Sequence, residues 1–559
     1  MPKQKNRPVV AEKEGGSTRA STFLPWLLLS IAVVLIAIVR IRLLNMPLER
    51  DEGEYAYVGQ LMLSGVPPYL LAYSMKLPGI YVAYALVMAV FGQTAAGIHL
   101  GLLLVNAANT VLMFLLAKRL YGAYAAVTAA AAYSLLAIAS TVKGLAANAE
   151  QFVLLPALVG LLVLLRALET KRPLTFFWSG LLMGLALVVK QHGGYFVLFG
   201  LAYLMLSFWR DHGTRQAKPF LAKVGFFAAG AAIPFAITCL VMLMAGVFKN
   251  FWFWTFTYAR EYAAMVTPST ALIELKSWME AEAGISLPLW ILAGVGLTSV
   301  FWNRRIRANG LFLVSLWLVS AMAASAGMFF RGHYFILMFP AVALLIGAAV
   351  SAIYEVLART RIPAVLRVVI VCILFAGTCA YTLYWQSIPL FQLDPTTLAY
   401  QTYPGNPFPE TVEVARYIKR HTSPSDRIFV FGSEPQIYFY SHRRSATGYI
   451  YMYGLMEEQQ YALKMQLDMV REVEANHPKY IVEIGSPYSW LPHVNSELFV
   501  LDWANKYSEK CTLVGLVDIP PTYDGASTRY YWGDEAKSAR ITSKSFIRIY
   551  KVNQSGQPR

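Results

Sequence analysis

The chain has 559 residues, of which 57% are hydrophobic and only 14% charged, and its net charge is +16. That composition is that of a polytopic membrane protein with room for an added soluble domain. The positive balance does not mark a nucleic-acid binder: residues 1–389 hold 30 Lys/Arg against 14 Asp/Glu, whereas residues 390–559 hold 18 of each and are neutral. The excess sits in short loops between apolar segments, where it reports topology rather than a polyanionic partner.

Residues 1–21 form a basic, polar tail, expected to be cytoplasmic. They lead into an apolar run at 22–41, about as long as the ~20 residues a helix needs to cross the hydrocarbon core. It carries no convincing cleavage site and reads as an uncleaved first span. Directly after it, Glu49, Asp51, Glu52 and Glu54 crowd into six positions. Carboxylates are costly near a bilayer, so such a cluster is where chemistry is to be sought. The stretch RDEGEYAYVGQLMLSG predicts a short helix with Tyr55, Val58, Leu61 and Met62 on one face, suited to the membrane surface with its acids at the water boundary.

The run at 77–92 is borderline in length. Further apolar segments fall near 96–117, 123–141, 149–168, 174–189, 193–209, 219–246, 286–302, 309–328, 333–354 and 365–386. Leaving 77–92 out of the count gives about eleven spans, with 20 Lys/Arg inside against 10 in the short outer segments. Counting it as a span would put the loop cations outside. The run 77–92 is therefore expected to lie along the outer surface, within a first outer loop that also holds the acidic cluster.

An odd span number with an inside N-terminus places residues 390–559 outside. There, helical periodicity at 408–422 precedes a short buried strand at 427–432. A helix near 457–475, a strand at 479–485, a helix near 496–507 and strands near 511–517 and 545–551 complete an α/β pattern. Cys239, Cys372 and Cys379 lie in apolar stretches and only Cys511 is in this region, so no disulfide forms within it. The tails at 1–20 and 552–559 are expected to be disordered. The fold class expected is a mainly α polytopic membrane protein of about eleven transmembrane helices, with interfacial helices in the first outer loop and a C-terminal soluble α/β domain. Its divisions are 1–21, 22–389 and 390–559.

Asp51 and Glu52 admit two readings. Either one is a general base that takes a proton from an acceptor hydroxyl, or both are first-turn acids favoured by the helix dipole. Glu49 and Glu54 read as solvated. Four cations fall on the same outer side: Lys76, Lys143 (with Asn148 and Glu150), Lys190 (beside Gln191 and His192) and Arg331 (with His333). Each alone reads as a snorkelling end-of-helix residue. Together, at four separate outer turns, they point to something anionic outside, such as a phosphate leaving group. The aromatic segment at 248–282 reads as an interfacial belt, or more sharply as a lipid-tail or sugar platform containing Trp254, Tyr258 and Tyr262. In the soluble part, Glu434, His442, Arg443 and Arg444 form the most polar segment and read as a solvated loop. No Gly-rich phosphate loop, HExxH or CxxC occurs, and His192, His333 and Glu150 make no metal-ligand spacing.

In order, RDEGEYAYVGQ, KLPGIY, KGLAANAE, KQHGG and RGHY make the chain resemble the integral-membrane glycosyltransferases of the C type. Within them it is most similar to the protein O-mannosyltransferase (family 39) and lipid A aminoarabinose transferase group. The resemblance covers roughly residues 20–390. It implies an inverting transferase with a polyprenyl-phosphate sugar donor and no cofactor, acting on a glycan, lipid or protein hydroxyl at the outer face of the cytoplasmic membrane. Asp51 matches the family's catalytic acid, and Tyr55 follows it in the same motif. Lys76, Lys190 and Arg331 match positions that hold the lipid phosphate, and Glu150 matches a second loop acid. Met75 departs from the aminoarabinose transferases, which have an acid before the Lys-Pro pair, and the pair itself is Lys-Leu-Pro here. The rival readings are a transporter or flippase of lipid-linked sugars, which would place ionisable groups in mid-membrane and show repeats, and a non-catalytic receptor or scaffold.

Overall fold

The computed structural model describes residues 19–212, 217–521 and 527–553. The N-terminal tail to residue 18, the final residues from 554 and the side chains of Arg215 and Lys218 lie outside the described residues. In chain order the first part comprises α1 (Arg19–Arg42), α2 (Arg50–Leu63), α3 (Gly79–Phe91), α4 (Ala95–Tyr121), α5 (Ala123–Ala137), α6 (Ala149–Thr170), α7 (Pro173–Val189), α8 (Gly194–His212) and α9 (Ala217–Met244). Helices Pro268–Trp302, Gly310–Ser325, Phe339–Ala358 and Ala364–Trp385 follow. Among the described residues, nine helices are long and apolar enough to cross a membrane. The soluble domain lies beyond the last of them.

The two remaining expected spans are α5 and α7, with 15 and 17 residues. Both are short, yet each connects the two ends of the bundle. At one end Arg305 donates to the Tyr121 carbonyl, Asn309 donates to the Leu120 carbonyl, and Arg119 pairs with Glu169 at 2.6 Å. At the other, Arg40 donates to the Gly144 carbonyl and Lys190 pairs with Glu150. Helix α5 runs from the first end to the second, and so does α7. Close approach compensates for the short length of α7. A Cβ on Gly180 would lie 2.0 Å from the Phe227 carbonyl oxygen, and one on Gly184 would lie 2.3 Å from that of Ala231, so backbones of α7 and α9 touch along a small-residue stripe.

Helix α3 has 13 residues, too few to span. It buries Ile80, Tyr81, Tyr84 and Met88 and leaves Val82, Leu86 and Val90 exposed at helical spacing. Helix Pro268–Trp302 starts earlier than its apolar core: it extends 18 residues ahead of residue 286, where Ser286 leaves the helical region and kinks it.

The C-terminal domain is a six-stranded mixed sheet in the order β2-β1-β3-β6-β4-β5. β1 (Arg427–Phe431), β3 (Tyr480–Gly485), β4 (Cys511–Ile519) and β6 (Ser545–Val552) match the predicted strands, and β2 (Arg444–Ser445) and β5 (Arg529–Trp532) are short additions at the two edges. β1 pairs in parallel with β2 and β3, whereas β6 runs antiparallel to β3 and β4. Helices Phe408–His421, Ala462–Asn476 and Phe499–Ser508 pack their apolar faces on it. β6 runs to Val552, so the chain stays ordered into the segment expected to be a disordered tail.

The domain is seated on α2. Tyr57 packs on Tyr438 at 5.1 Å between ring centroids, and its hydroxyl accepts from the Ser445 amide. Gly53 makes this seat: a Cβ there would fall 2.7 Å from the Gln436 backbone nitrogen. Helix α2 is therefore buried from Glu52 to Leu61 and does not lie open on the membrane surface, as its amphipathic face had implied. Gly53→Val should push the domain off α2, at a cost of about 1–3 kcal/mol from overpacking. The check is limited proteolysis of the linker at residues 390–407, which should cut faster in the variant.

Candidate active site

Helix α2 begins with a reciprocal cap. The Glu49 carboxylate accepts from the Glu52 amide at 3.0 Å, and the Glu52 carboxylate accepts from the Glu49 amide at 3.1 Å. Glu52 also accepts from the Ala147 amide at 2.6 Å and meets His99 Nε2 at 3.1 Å. It is 1% exposed and fully engaged. Glu52 thus takes part in the helix-start cap. Glu49 and Glu54, expected to be solvated, are 9% and 0% exposed. Glu54 accepts from the Tyr81 hydroxyl at 2.5 Å. Burial raises the Glu54 carboxyl, and burial together with Asp51 and Glu52 pushes Glu49 up to about 8.

Asp51 differs from its neighbours. Its side chain keeps 26% exposure and faces a cavity. One oxygen lies 3.3 Å from Lys76 Nζ, and the other lies 3.2 Å from the Tyr451 hydroxyl of the C-terminal domain. Burial opposes its charge, but Lys76 first, then His333, Lys190 and Arg331, hold the carboxyl well below the usual carboxylate range. Asp51 is the acid of the cluster that these cations favour in its charged form. Lys76 also reaches the Tyr55 hydroxyl at 3.2 Å, and burial is outweighed by Asp51 and Glu54, which keep its ammonium charged. Its backbone is fixed by Tyr69, whose hydroxyl donates to the Lys76 carbonyl at 2.6 Å, and by Gln191, which donates to the Met75 carbonyl at 2.7 Å.

Two cavities meet at Asp51. The smaller, about 110 Å³, is lined by Lys76, Tyr73, Trp254 and Tyr449. The larger, about 920 Å³, is lined by Lys143, Asn148, Thr270, Glu274 and Trp278. Six residues line both: Asp51, Tyr262, Arg331, His333, Tyr453 and Glu457. Arg331 donates to the Tyr262 hydroxyl at 3.0 Å and has no acidic partner among the described residues. Lys143 likewise has no acidic partner there, lies 4.7 Å above the Tyr403 ring, and is pushed down by burial.

The predicted site residues therefore separate. Asp51, Lys76, Arg331 and His333 surround one space, and Lys143 and Asn148 line its larger extension. Lys190 and Glu150 stand behind it. They form a buried pair, 4% and 0% exposed, with Lys190 4.6 Å from the Tyr334 ring centroid, and neither lines either of these two cavities. His192 is close to Tyr334 as well, at 4.8 Å between rings. Trp254, Tyr258 and Tyr262 line the cavities rather than forming a lipid-facing belt. The polar segment of the soluble domain is solvated only in part: His442 and Arg444 are exposed, whereas Glu434 and Arg443 are 0% and 5% exposed. Sequence reasoning missed Tyr451, Tyr453, Glu457 and His99. The alternating tyrosines at 449, 451 and 453 were the available signal, but nothing local ties them to a residue some 400 positions away.

Arg50 locks the cavity's two walls together. Its guanidinium bonds Glu434 at 2.6 Å, Asn406 at 3.0 Å and the Ser433 carbonyl, and lies 5.3 Å from the rings of both Phe408 and Tyr453.

Residues 76–238 match the family described as dolichyl-phosphate-mannose-protein mannosyltransferase. The fold as a whole is similar to that of ArnT from Cupriavidus metallidurans bound to undecaprenyl phosphate, with TM-score 0.57 and 15% identity over 96% of this chain and 100% of that one. The apo form of that protein aligns with TM-score 0.56 and 15% identity over 97% and 100% of the two chains. The archaeal oligosaccharyltransferase AglB from Archaeoglobus fulgidus, in complex with an inhibitory peptide and a dolichol-phosphate, aligns with TM-score 0.54 and 12% identity over 94% and 76%. The chain shares their fold. No curated protein matches it by sequence.

Because Glu434 is fully buried, removing Arg50 alone strands its charge, whereas removing both partners does not. Arg50→Met should destabilise the protein by about 3–5 kcal/mol, and Arg50→Met combined with Glu434→Leu should recover much of that loss. Thermal unfolding of the single and double variants in detergent checks this.

Proposed function

We propose that the protein is an inverting glycosyltransferase that moves a sugar from a polyprenyl-phosphate donor to a hydroxyl acceptor. The observation that carries this reading is Asp51, a carboxylate paired with Lys76 at the junction of two cavities, which Arg331, a cation without an acidic partner among the described residues, lines as well. In this reading Asp51 takes the proton of the acceptor hydroxyl as its oxygen attacks the anomeric carbon from the face opposite the phosphate. The bond from that carbon to the phosphate oxygen breaks, and Lys76, Arg331 and His333 receive the polyprenyl phosphate. Lys190 supports the cradle from behind, through Tyr334, rather than by contact. Glu52 is left to hold the helix start.

Two further features support the reading. The family match includes Lys76 and Lys190, and two of the aligned structures hold undecaprenyl phosphate or a dolichol-phosphate. The basic residues Lys118, Arg119, Arg304 and Arg305 all belong to the end of the bundle away from the cavities. The positive-inside bias assigns such an end to the cytoplasm, which supports a reaction and a C-terminal domain on the outer side. The acceptor is a lipid, glycan or protein hydroxyl at that surface. The ionised groups at this site stand at one end of the bundle, which does not favour a transport route through its middle.

Asp51→Asn keeps the shape and removes the basicity, so transfer should fall by about 10²–10⁴-fold with donor binding little changed. Turnover of a radiolabelled polyprenyl-phosphate sugar in purified membranes measures it, and full activity in the variant would refute the assignment. The pH dependence follows from the sign of the shift. A carboxyl held below its ordinary value of about 3.9 remains a base as pH falls, so the acid limb of kcat/KM should lie below that value. Lys76→Gln removes the cation that most strongly opposes the effect of burial on Asp51, so the limb should move upward. An unmoved limb would show that another group limits the rate.

A further inference from the structure

The C-terminal domain places one carboxylate in the cavity that the proposed chemistry leaves unused. Glu457 lies at the end of a short helix, Tyr453–Met456, and its side chain lines both cavities at their junction. It is only 7% exposed. One oxygen, Oε2, accepts from the Tyr258 hydroxyl in a short hydrogen bond. The other, Oε1, has no hydrogen-bond partner among the described residues and is not sealed from the cavity. A carboxylate oxygen that is open on a cavity wall is an acceptor available to a hydroxyl in that cavity.

The surroundings show a built site rather than a stray acid. The loop that carries Glu457 is pressed onto Tyr258: a Cβ on Gly454 would lie 2.7 Å from the Tyr258 hydroxyl. Trp254 packs edge-on against Tyr258 at 5.0 Å and stacks on Tyr73 at 5.5 Å with an interplanar angle of 14°. Tyr262 is stacked on Phe329 at 4.4 Å. An acceptor oxygen beside aromatic faces suits a sugar ring, whose hydroxyls donate and whose C–H face packs on an aromatic ring. A lipid tail would have no use for the carboxylate.

We infer that Glu457 binds a hydroxyl of the transferred sugar through Oε1 and so sets which sugar is accepted. This rests on the transferase reading above. With the phosphate at Arg331 and the attacking hydroxyl at Asp51, the anomeric carbon lies between them, and the ring projects from there toward the one other carboxylate shared by both cavities. Burial raises the Glu457 carboxyl while the Tyr258 hydroxyl pulls it down. Either protonation state leaves an oxygen able to accept.

The test uses the full-length protein in membranes with a panel of undecaprenyl-phosphate hexoses, together with their mono-deoxy analogues and sugar-free undecaprenyl phosphate. Glu457→Gln is nearly isosteric, and its amide oxygen can still accept from Tyr258, so thermal unfolding should be unchanged. For the hexose that the native protein consumes fastest, Glu457→Gln should lower kcat/KM about tenfold, with affinity for sugar-free undecaprenyl phosphate unaltered. One deoxy analogue should lose a similar factor with the native protein and nothing further with the variant. Native rates in Glu457→Gln, or equal losses for every deoxy analogue and for the sugar-free lipid, would overturn the assignment. Asp51→Asn, run in parallel, separates the two failures. If it is inactive while Glu457→Gln is normal, only the Glu457 assignment falls. If Asp51→Asn consumes donor normally, or the native protein consumes none of the panel, the transferase reading falls and this assignment with it.

Discussion

The constraint on which the structure depends is the burial of a helix start dense in ionisable groups. Helix α2 and its cap carry Glu49, Arg50, Asp51, Glu52 and Glu54, and are covered on one side by the membrane bundle and on the other by the soluble domain. An uncompensated charge in such a place is costly. Each residue is therefore answered by a different part of the chain. Glu49 and Glu52 cap each other, Arg50 meets Glu434, Glu52 meets His99, and Glu54 meets Tyr81. Asp51 alone is answered by a cation at a cavity wall, Lys76, and retains access to the space beyond.

Those partners explain why the membrane part and the C-terminal domain work as one unit. Arg50 and Asp51 are neighbours in sequence, and one binds the domain while the other faces the cavity that the domain helps to close. Tyr451 touches both, lying 3.1 Å from the Arg50 carbonyl oxygen and 3.2 Å from Asp51. A shift of the domain would displace the wall of the cavity and the hydrogen bond to the carboxylate together. Gly53 allows that contact by letting helix Gln436–Ser441 approach the backbone of α2.

Charge at the site is graded with depth. The Lys190–Glu150 pair is sealed behind Tyr334 and self-neutralising, the Lys76–Asp51 pair is half open, and Arg331 and Lys143 stand at the cavity walls without acidic partners among the described residues. Such an arrangement holds the carboxylate ionised without cancelling the field available to an anion. It also separates two roles that a list of cations cannot: those that shape the site and those that reach into it.

The sequence by itself determined the elements. Apolar run lengths located the bundle helices, loop charges ordered them between two ends, and alternation of strand and helix patterns at 408–551 outlined the sheet. These are local properties, set by periodicity and by the bilayer's demand for apolar length. It also singled out Asp51 and Lys76, because charges beside a membrane are rare enough to be conspicuous. Tertiary structure decided what each charge does. Glu49, Glu52 and Glu54 look like Asp51 in sequence and differ only in what surrounds them. Lys190 and Arg331 look alike as outer cations, and only packing puts one behind Tyr334 and the other in the cavity. The amphipathic face of α2 could not say whether lipid or protein would cover it. Tyr451 and Glu457 were beyond reach because their partners lie hundreds of residues away, and the energy of a buried charge depends on that distant company.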